Sequence, residues 1–196
     1  MIIKKLIFPI LALVWAFIAI SCDHESSYLP KPRGYFRIDL PEKGYTKIDT
    51  IERFSFECPQ YAIVTPDPYS PNEKNWINIE MPQFKGSIHL THKSVNNNLS
   101  EYIEDVHTMV VKHLQKANGM RDSLIVNEEH QVYGLFIEMD GKSVATPMQF
   151  YLTDSTHNFV RGALYFNFRP NNDSMQPVIN YIREDIDHLI NTFEWK

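Results

Sequence analysis

The sequence predicts an α+β fold for most of this chain, an antiparallel sheet covered by two amphipathic helices, and three observations carry that expectation. Nine short segments are rich in aromatic and β-branched residues and are punctuated by turn residues. Two longer segments instead repeat apolar residues at helical spacing. These two are well separated along the chain, with a run of strands between them, which suits an α+β domain better than alternating βα units.

The strand segments are Tyr35–Asp39, Phe54–Cys58, Tyr61–Thr65, Trp76–Met81, Ser87–His92, Leu124–Glu128, Val132–Met139, Val144–Leu152 and Phe159–Phe168. Asp140-Gly141 between two of them is a strong two-residue hairpin signal. Asp154 to Asn158 is a longer polar connection, so residues 132–168 read as an antiparallel meander. Arg161-Gly162 falls mid-strand, where a glycine marks a bulge or a close backbone approach. Pro66-Asp67-Pro68-Tyr69-Ser70-Pro71 fits neither strand nor helix and reads as an exposed loop presenting Tyr69.

The first helix is predicted to start at Asn98, with Glu101 completing a capping box. Leu99, Tyr102, Ile103, Val106, Val110 and Leu114 form its apolar face, and Gly119 marks the stop. The second spans about Met175 to Thr192, capped by Asp173 or Ser174, with Pro177 in the first turn. Val178, Ile179, Ile182, Ile186, Leu189, Ile190 and Phe193 make one apolar stripe. Arg183, Glu184, Asp185 and Asp187 are expected on the opposite, solvated side. This order of strands, helix, four-strand meander and C-terminal helix resembles the Mog1/PsbP-type α/β/α sandwich.

The N-terminus has a different character. Lys4 and Lys5 precede an apolar block from Leu6 to Ile20 that contains Pro9, and Ser21-Cys22 follows. A basic start, an apolar block of about 7–15 residues and a small residue at the cut are the parts of a secretory signal. The block is shorter than the roughly 20 apolar residues of a spanning helix. Ala19-Ile20-Ser21-Cys22 resembles a bacterial lipobox, in which the cysteine becomes the acylated first residue. Residues 1–21 are therefore read as a lipoprotein signal peptide, 22–31 as a Ser- and Pro-containing tether, and 32–196 as a single globular domain. Cys22 is the lipidation site, and palmitate is among the acyl chains expected there. Cys58 then has no partner in the chain and is expected to be a buried free thiol.

Charge narrows the function classes. The whole chain carries −5, and removing residues 1–21 takes away two lysines and no acid, giving −7. Such a chain has no electrostatic footprint for nucleic acid and no general basic surface for anionic headgroups. Membrane attachment must then come from the acyl chains on Cys22. Against this background Arg33, Tyr35 and Arg37 form a basic and aromatic group beside the tether, together with Lys31 and Phe36. They are candidate interaction residues, because Arg and Tyr are enriched at interface hot spots. The plainer reading is that they hold the first strand to the body.

Three segments carry a closer resemblance. Residues 31–41 (KPRGYFRIDLP), 150–171 (FYLTDSTHNFVRGALYFNFRPN) and 177–196 (PVINYIREDIDHLINTFEWK) are similar to the gliding-motility lipoprotein GldD family of the Bacteroidota. The resemblance implies a lipid-anchored cell-envelope protein required for gliding and associated with the type IX secretion machinery. Its domain would face the periplasm, and its partners would be other gliding or secretion envelope proteins. The family brings no catalytic residues, so only the lipid-bearing position transfers, onto Cys22. The residues leave the inner or outer membrane open.

Catalysis finds little support in the residues themselves. His89 and His92 are three apart on a strand and point to opposite faces, and His107 and His113 sit on different faces of a helix, so no metal or cofactor site is expected. Asp154-Ser155-Thr156-His157 holds the residue types of a hydrolase triad but reads as a turn, without a Gly-x-Ser-x-Gly elbow. Asn96-Asn97-Asn98-Leu99-Ser100 resembles the Asn-x-x-Leu-Ser start of the OmpA-like wall-binding helix, yet Ile103-Glu104 stand where that motif has Arg-Ala. Two function classes remain: a non-catalytic interaction subunit, or a periplasmic binding module for a lipid or glycan fragment. A large apolar pocket would favour the module.

Overall fold

The computed structural model describes Gly34, Tyr35 and residues 37–196, of which Tyr35–Lys196 forms one compact unit. Ten strands, two helices and a short 3-10 turn follow in the order β1 (Tyr45–Ile48), β2 (Phe54–Pro59), β3 (Ile63–Pro66), β4 (Ile77–Met81), the turn (Pro82–Phe84), β5 (Gly86–Ser94), α1 (Leu99–Leu114), β6 (Gly119–Asn127), β7 (Val132–Asp140), β8 (Met148–Thr153), β9 (Asn158–Phe166), α2 (Asn172–Asn191) and β10 (Glu194–Trp195). Seven strands make one antiparallel sheet in the order β3-β4-β5-β9-β8-β7-β6. Two consecutive meanders, β3–β5 and β6–β9, are joined along the long β5–β9 pair. The three remaining strands form a separate small sheet, β1-β2-β10.

Alternation along the strands sends side chains to two faces, and each face has its own core. On one, Ile79, Leu90, Phe136, Phe150, Leu152, Val160 and Leu164 meet the α2 stripe and the inward residues Phe54 and Phe56 of β2. On the other, Ile137, Met139 and Phe159 pack with Val106 and Val110 of α1. The predicted α+β class and the two covering helices are therefore present, in an α/β/α arrangement. Every residue of the predicted α2 stripe is buried, with Ile182, Ile186 and Phe193 fully so.

The local differences have physical causes. Tyr35 and residues 37–39, the described part of the predicted first strand, are not in a strand; the first strand among the described residues is β1, which pairs with β2 from Tyr45↔Pro59 to Ile48↔Phe56. Tyr-Thr-Lys-Ile is too short and polar to be seen as a strand without its partner. β6 starts at Gly119, predicted as a helix stop, because residues 119–123 pair with β7 although nothing buries them. Asp140 and Gly141 do not form a two-residue turn, for β8 begins only at Met148 and the intervening loop turns inward to bury Val144 and Thr146. Gly141 is required there: its φ is +152°, and a Cβ would stand 2.7 Å from the Lys116 carbonyl oxygen. Gly162 shows the predicted close approach, since a Cβ would lie 2.2 Å from the Phe150 ring.

At the helix ends, the capping box is absent. Asn98 Oδ1 instead accepts from the Asn96 backbone N–H at 2.8 Å, and the Glu101 N–H reaches the Asn98 carbonyl at 3.1 Å. α2 begins at Asn172 with Asn171 as cap, so Pro177 lies beyond the first turn. The Asn172 amide is drawn inward to donate to the carbonyls of Gly141 and Val144, both at 2.9 Å.

Candidate interaction site

The chain enters the domain through the strap that precedes β1, and α2 holds that strap. Asp185, expected on the solvated side of the helix, is 2% exposed. A carboxylate withdrawn from water must be met by donors. Lys43 Nζ and Tyr45 Oη donate to its Oδ1 at 2.7 and 2.9 Å, and Tyr61 Oη donates to its Oδ2. Lys43 also donates to the Tyr181 carbonyl at 2.7 Å and lies 3.5 Å above the Tyr181 ring. Tyr181 Oη returns a hydrogen bond to the Pro41 carbonyl at 2.7 Å.

One turn on, His188 stacks on Tyr45 with ring centroids 3.6 Å apart and meets Glu57 at 2.6 Å. Burial and the neighbouring carboxylate push the Tyr45 and Tyr61 hydroxyls well above the ordinary tyrosine value. The same two causes push the free, buried Cys58 thiol up to about 12. With the buried Asp185 carboxylate met by these donors, the cluster acts as a clamp on residues 41–45. Tyr181, Asp185 and His188 stand at i, i+4 and i+7, a polar stripe beside the apolar one, and that spacing was the signal available in the sequence.

The predicted site residues lie just upstream. Cys22 and Arg33 fall outside the described residues. Tyr35 is about half exposed, and Arg37 is freely exposed with its Nε 3.1 Å from Asp39 Oδ1. Asp39, two residues on, thus offsets the charge of Arg37.

A second exposed feature went unnoticed in the sequence. β6 lies at the end of the large sheet and, among the described residues, pairs on one side only, with β7. Its alternate residues Met120, Leu124 and Val126 share one face, and Leu124 and Val126 are 81% and 64% exposed. Behind the strand, an open groove of about 340 Å³ runs between β6 and α2, with Ile125, Phe136 and Ile190 on its walls. Arg183 stands beside them, donating to Glu138 at 2.8 Å and to Asp187 at 2.9 Å. Edge strands usually carry charge, proline or a bulge that blocks further pairing. Here only Arg121 and Asp122 do so, near one end.

The histidines and the Asp-Ser-Thr-His segment have local partners. His92 is buried and bonded to Asn158 Oδ1 at 2.9 Å, whereas His89 is on the opposite face, bonded to Ser87 at 3.1 Å. Asp154 Oδ1 accepts the backbone N–H groups of Thr156, His157 and Asn158 at 2.7–2.9 Å, which makes the segment a turn. Burial would push the Asp154 carboxyl up, but those hydrogen bonds outweigh it and hold it below the ordinary value. Among the described residues no group of three or more potential ligands could hold a metal ion, and no helix is long and apolar enough to cross a membrane.

A family model described as gliding motility lipoprotein GldD matches residues 25–195. The chain belongs to that family, and as a lipoprotein it is held at a membrane of the cell envelope by lipid. No curated protein matches it. Among solved structures it is similar to the solution structure of cyanobacterial PsbP (CyanoP) from Synechocystis sp. PCC 6803, at 11% identity and a TM-score of 0.46, over 82% of this chain and 98% of that one.

Proposed function

We propose that this protein is a non-catalytic interaction subunit of the gliding and type IX secretion apparatus, anchored through acyl chains on Cys22 with its domain in the periplasm. The carrying observation is the β6 edge, whose outer row of backbone donors and acceptors pairs with no strand among the described residues and lies beside exposed Leu124 and Val126. An extended segment of another envelope protein can add to such an edge, gaining main-chain hydrogen bonds along the strand and apolar contacts at alternate positions. The clamp on residues 41–45 supports this reading, because it fixes the first stretch of the domain on the body that presents the edge.

The test is a Leu124→Lys, Val126→Lys double variant in cells. Both side chains point to solvent, so the fold should persist at its normal level by immunoblot. Colony spreading and secretion of a reporter cargo should fall sharply, and partners recovered with the wild-type protein by crosslinking should disappear. Normal spreading at a normal protein level would remove this edge from the function. The companion variant Arg33→Glu, Arg37→Glu asks the same question of the tether-side cluster.

A further inference from the structure

The face of the large sheet that α1 covers carries a second feature, beyond the reach of that helix. There an open groove of about 810 Å³ runs over β3, β4, β5 and β9. The strand register sets its floor. Glu80 faces Ser87, and Ser87 faces Tyr165, which makes one row across three strands. Asn78 faces His89 in the next row, two residues along. At the usual strand spacing this platform is about 10 Å wide. Ser87 and His89 are bonded at 3.1 Å, and the Tyr165 ring stands edge-on to His89. Tyr69, 91% exposed in the loop after β3, rises at the rim.

Asn78 is the telling residue. Its backbone pairs with both neighbouring strands, while its side-chain amide lines the groove, has no hydrogen-bond partner among the described residues and is not sealed from solvent. An amide that opens onto the groove with no partner of its own is free to donate to and accept from a ligand lying there.

We infer that this groove binds a saccharide chain. An amide, two hydroxyls, an imidazole and one carboxylate, laid out in two rows, supply the mixed donors and acceptors that vicinal sugar hydroxyls need. The Tyr165 and Tyr69 rings offer apolar surface to the C–H faces of a sugar. The lining holds one carboxylate, Glu80, and one lysine, Lys85, so no cationic nest selects a phosphate. Ile63, Pro82 and Phe166 add apolar surface at the sides, but an acyl chain would have to desolvate Glu80, Asn78 and His89 on the floor. Open ends suit a segment of a longer chain better than a single enclosed ring. This site is separate from the β6 edge and does not depend on it.

The experiment uses the full chain in detergent micelles, titrated calorimetrically with chitotriose, cellotriose and maltotriose. At least one should bind in the micromolar to millimolar range. Asn78→Leu and Tyr165→Ala should each weaken it by about tenfold or more, with an unchanged melting temperature for Tyr165→Ala, whose side chain is only half-buried. The Leu124→Lys, Val126→Lys variant should bind as wild type, so that failure of the edge and failure of the groove are told apart. No heat with any of the three trisaccharides, or wild-type affinity in a folded Tyr165→Ala protein, would overturn the inference.

Discussion

Asp185 shows how much one residue can organise. It takes hydrogen bonds from Lys43, Tyr45 and Tyr61 at positions more than a hundred residues away in the chain. Asp185→Ala leaves the Lys43 ammonium and two buried hydroxyls without their acceptor, and removing one partner of a buried pair costs about 3–5 kcal/mol. Lys43 keeps some access to water, so the lower end is expected, about 3 kcal/mol by urea unfolding. An unchanged midpoint would show that the clamp contributes nothing.

His92 gives a pH-dependent counterpart. Burial holds it below the ordinary histidine value; the hydrogen bond to Asn158 opposes this shift, and the charge of Arg53 adds to it. Protonation is then easier in the unfolded chain. The stability His92 contributes is complete above the unfolded value, about 6.5, and is lost as pH falls from there toward the lower folded value. His92→Gln keeps a donor toward Asn158 and does not titrate. It should flatten that part of the melting-temperature profile between pH 7.5 and 5.5, measured beside wild type.

At the scale of elements, α2 joins the two sheets. Its apolar stripe fills the core between the large sheet and β2, with Phe193 stacked on Phe54 at 5.2 Å just past its end. Ile186 is fully buried, so Ile186→Asp places an unpaired charge in that core and should destabilise the domain by more than about 4 kcal/mol. Thermal melts decide it, and a wild-type midpoint would contradict the packing. The same helix shows what was legible in the sequence. Its stripe could be read from spacing alone, whereas Asp185 was read as solvated because its neighbours 183, 184 and 187 are charged. Helical periodicity gives the angle of a side chain around the axis but not what covers that angle, and here β1, β2 and the strap cover it.

For the whole molecule, the anchor and the body are separate questions. Cys22→Ser cannot form a thioether, so labelling with a fatty-acid analogue should be lost and the protein should leave the membrane fraction. A labelled serine variant would reject Cys22 as the acylated residue. Crosslinking from engineered positions near residue 124 in the unmodified lipoprotein would then report which envelope protein lies beside the domain.

The sequence by itself determined the α+β class, both helices with their core-facing apolar stripes, the β6–β9 meander, the buried Cys58, the turn at Asp154 and the family. All of these rest on local periodicity, turn chemistry or long matching segments. Tertiary structure alone decided the small β1-β2-β10 sheet, the inward loop after Gly141, the Asp185 clamp, the open β6 edge and the polar groove around Asn78. The physical reason is common to them: each depends on pairing or burial between residues far apart in the chain. A short polar strand, a buried aspartate or an uncovered sheet face has no local signal until its neighbours are in place.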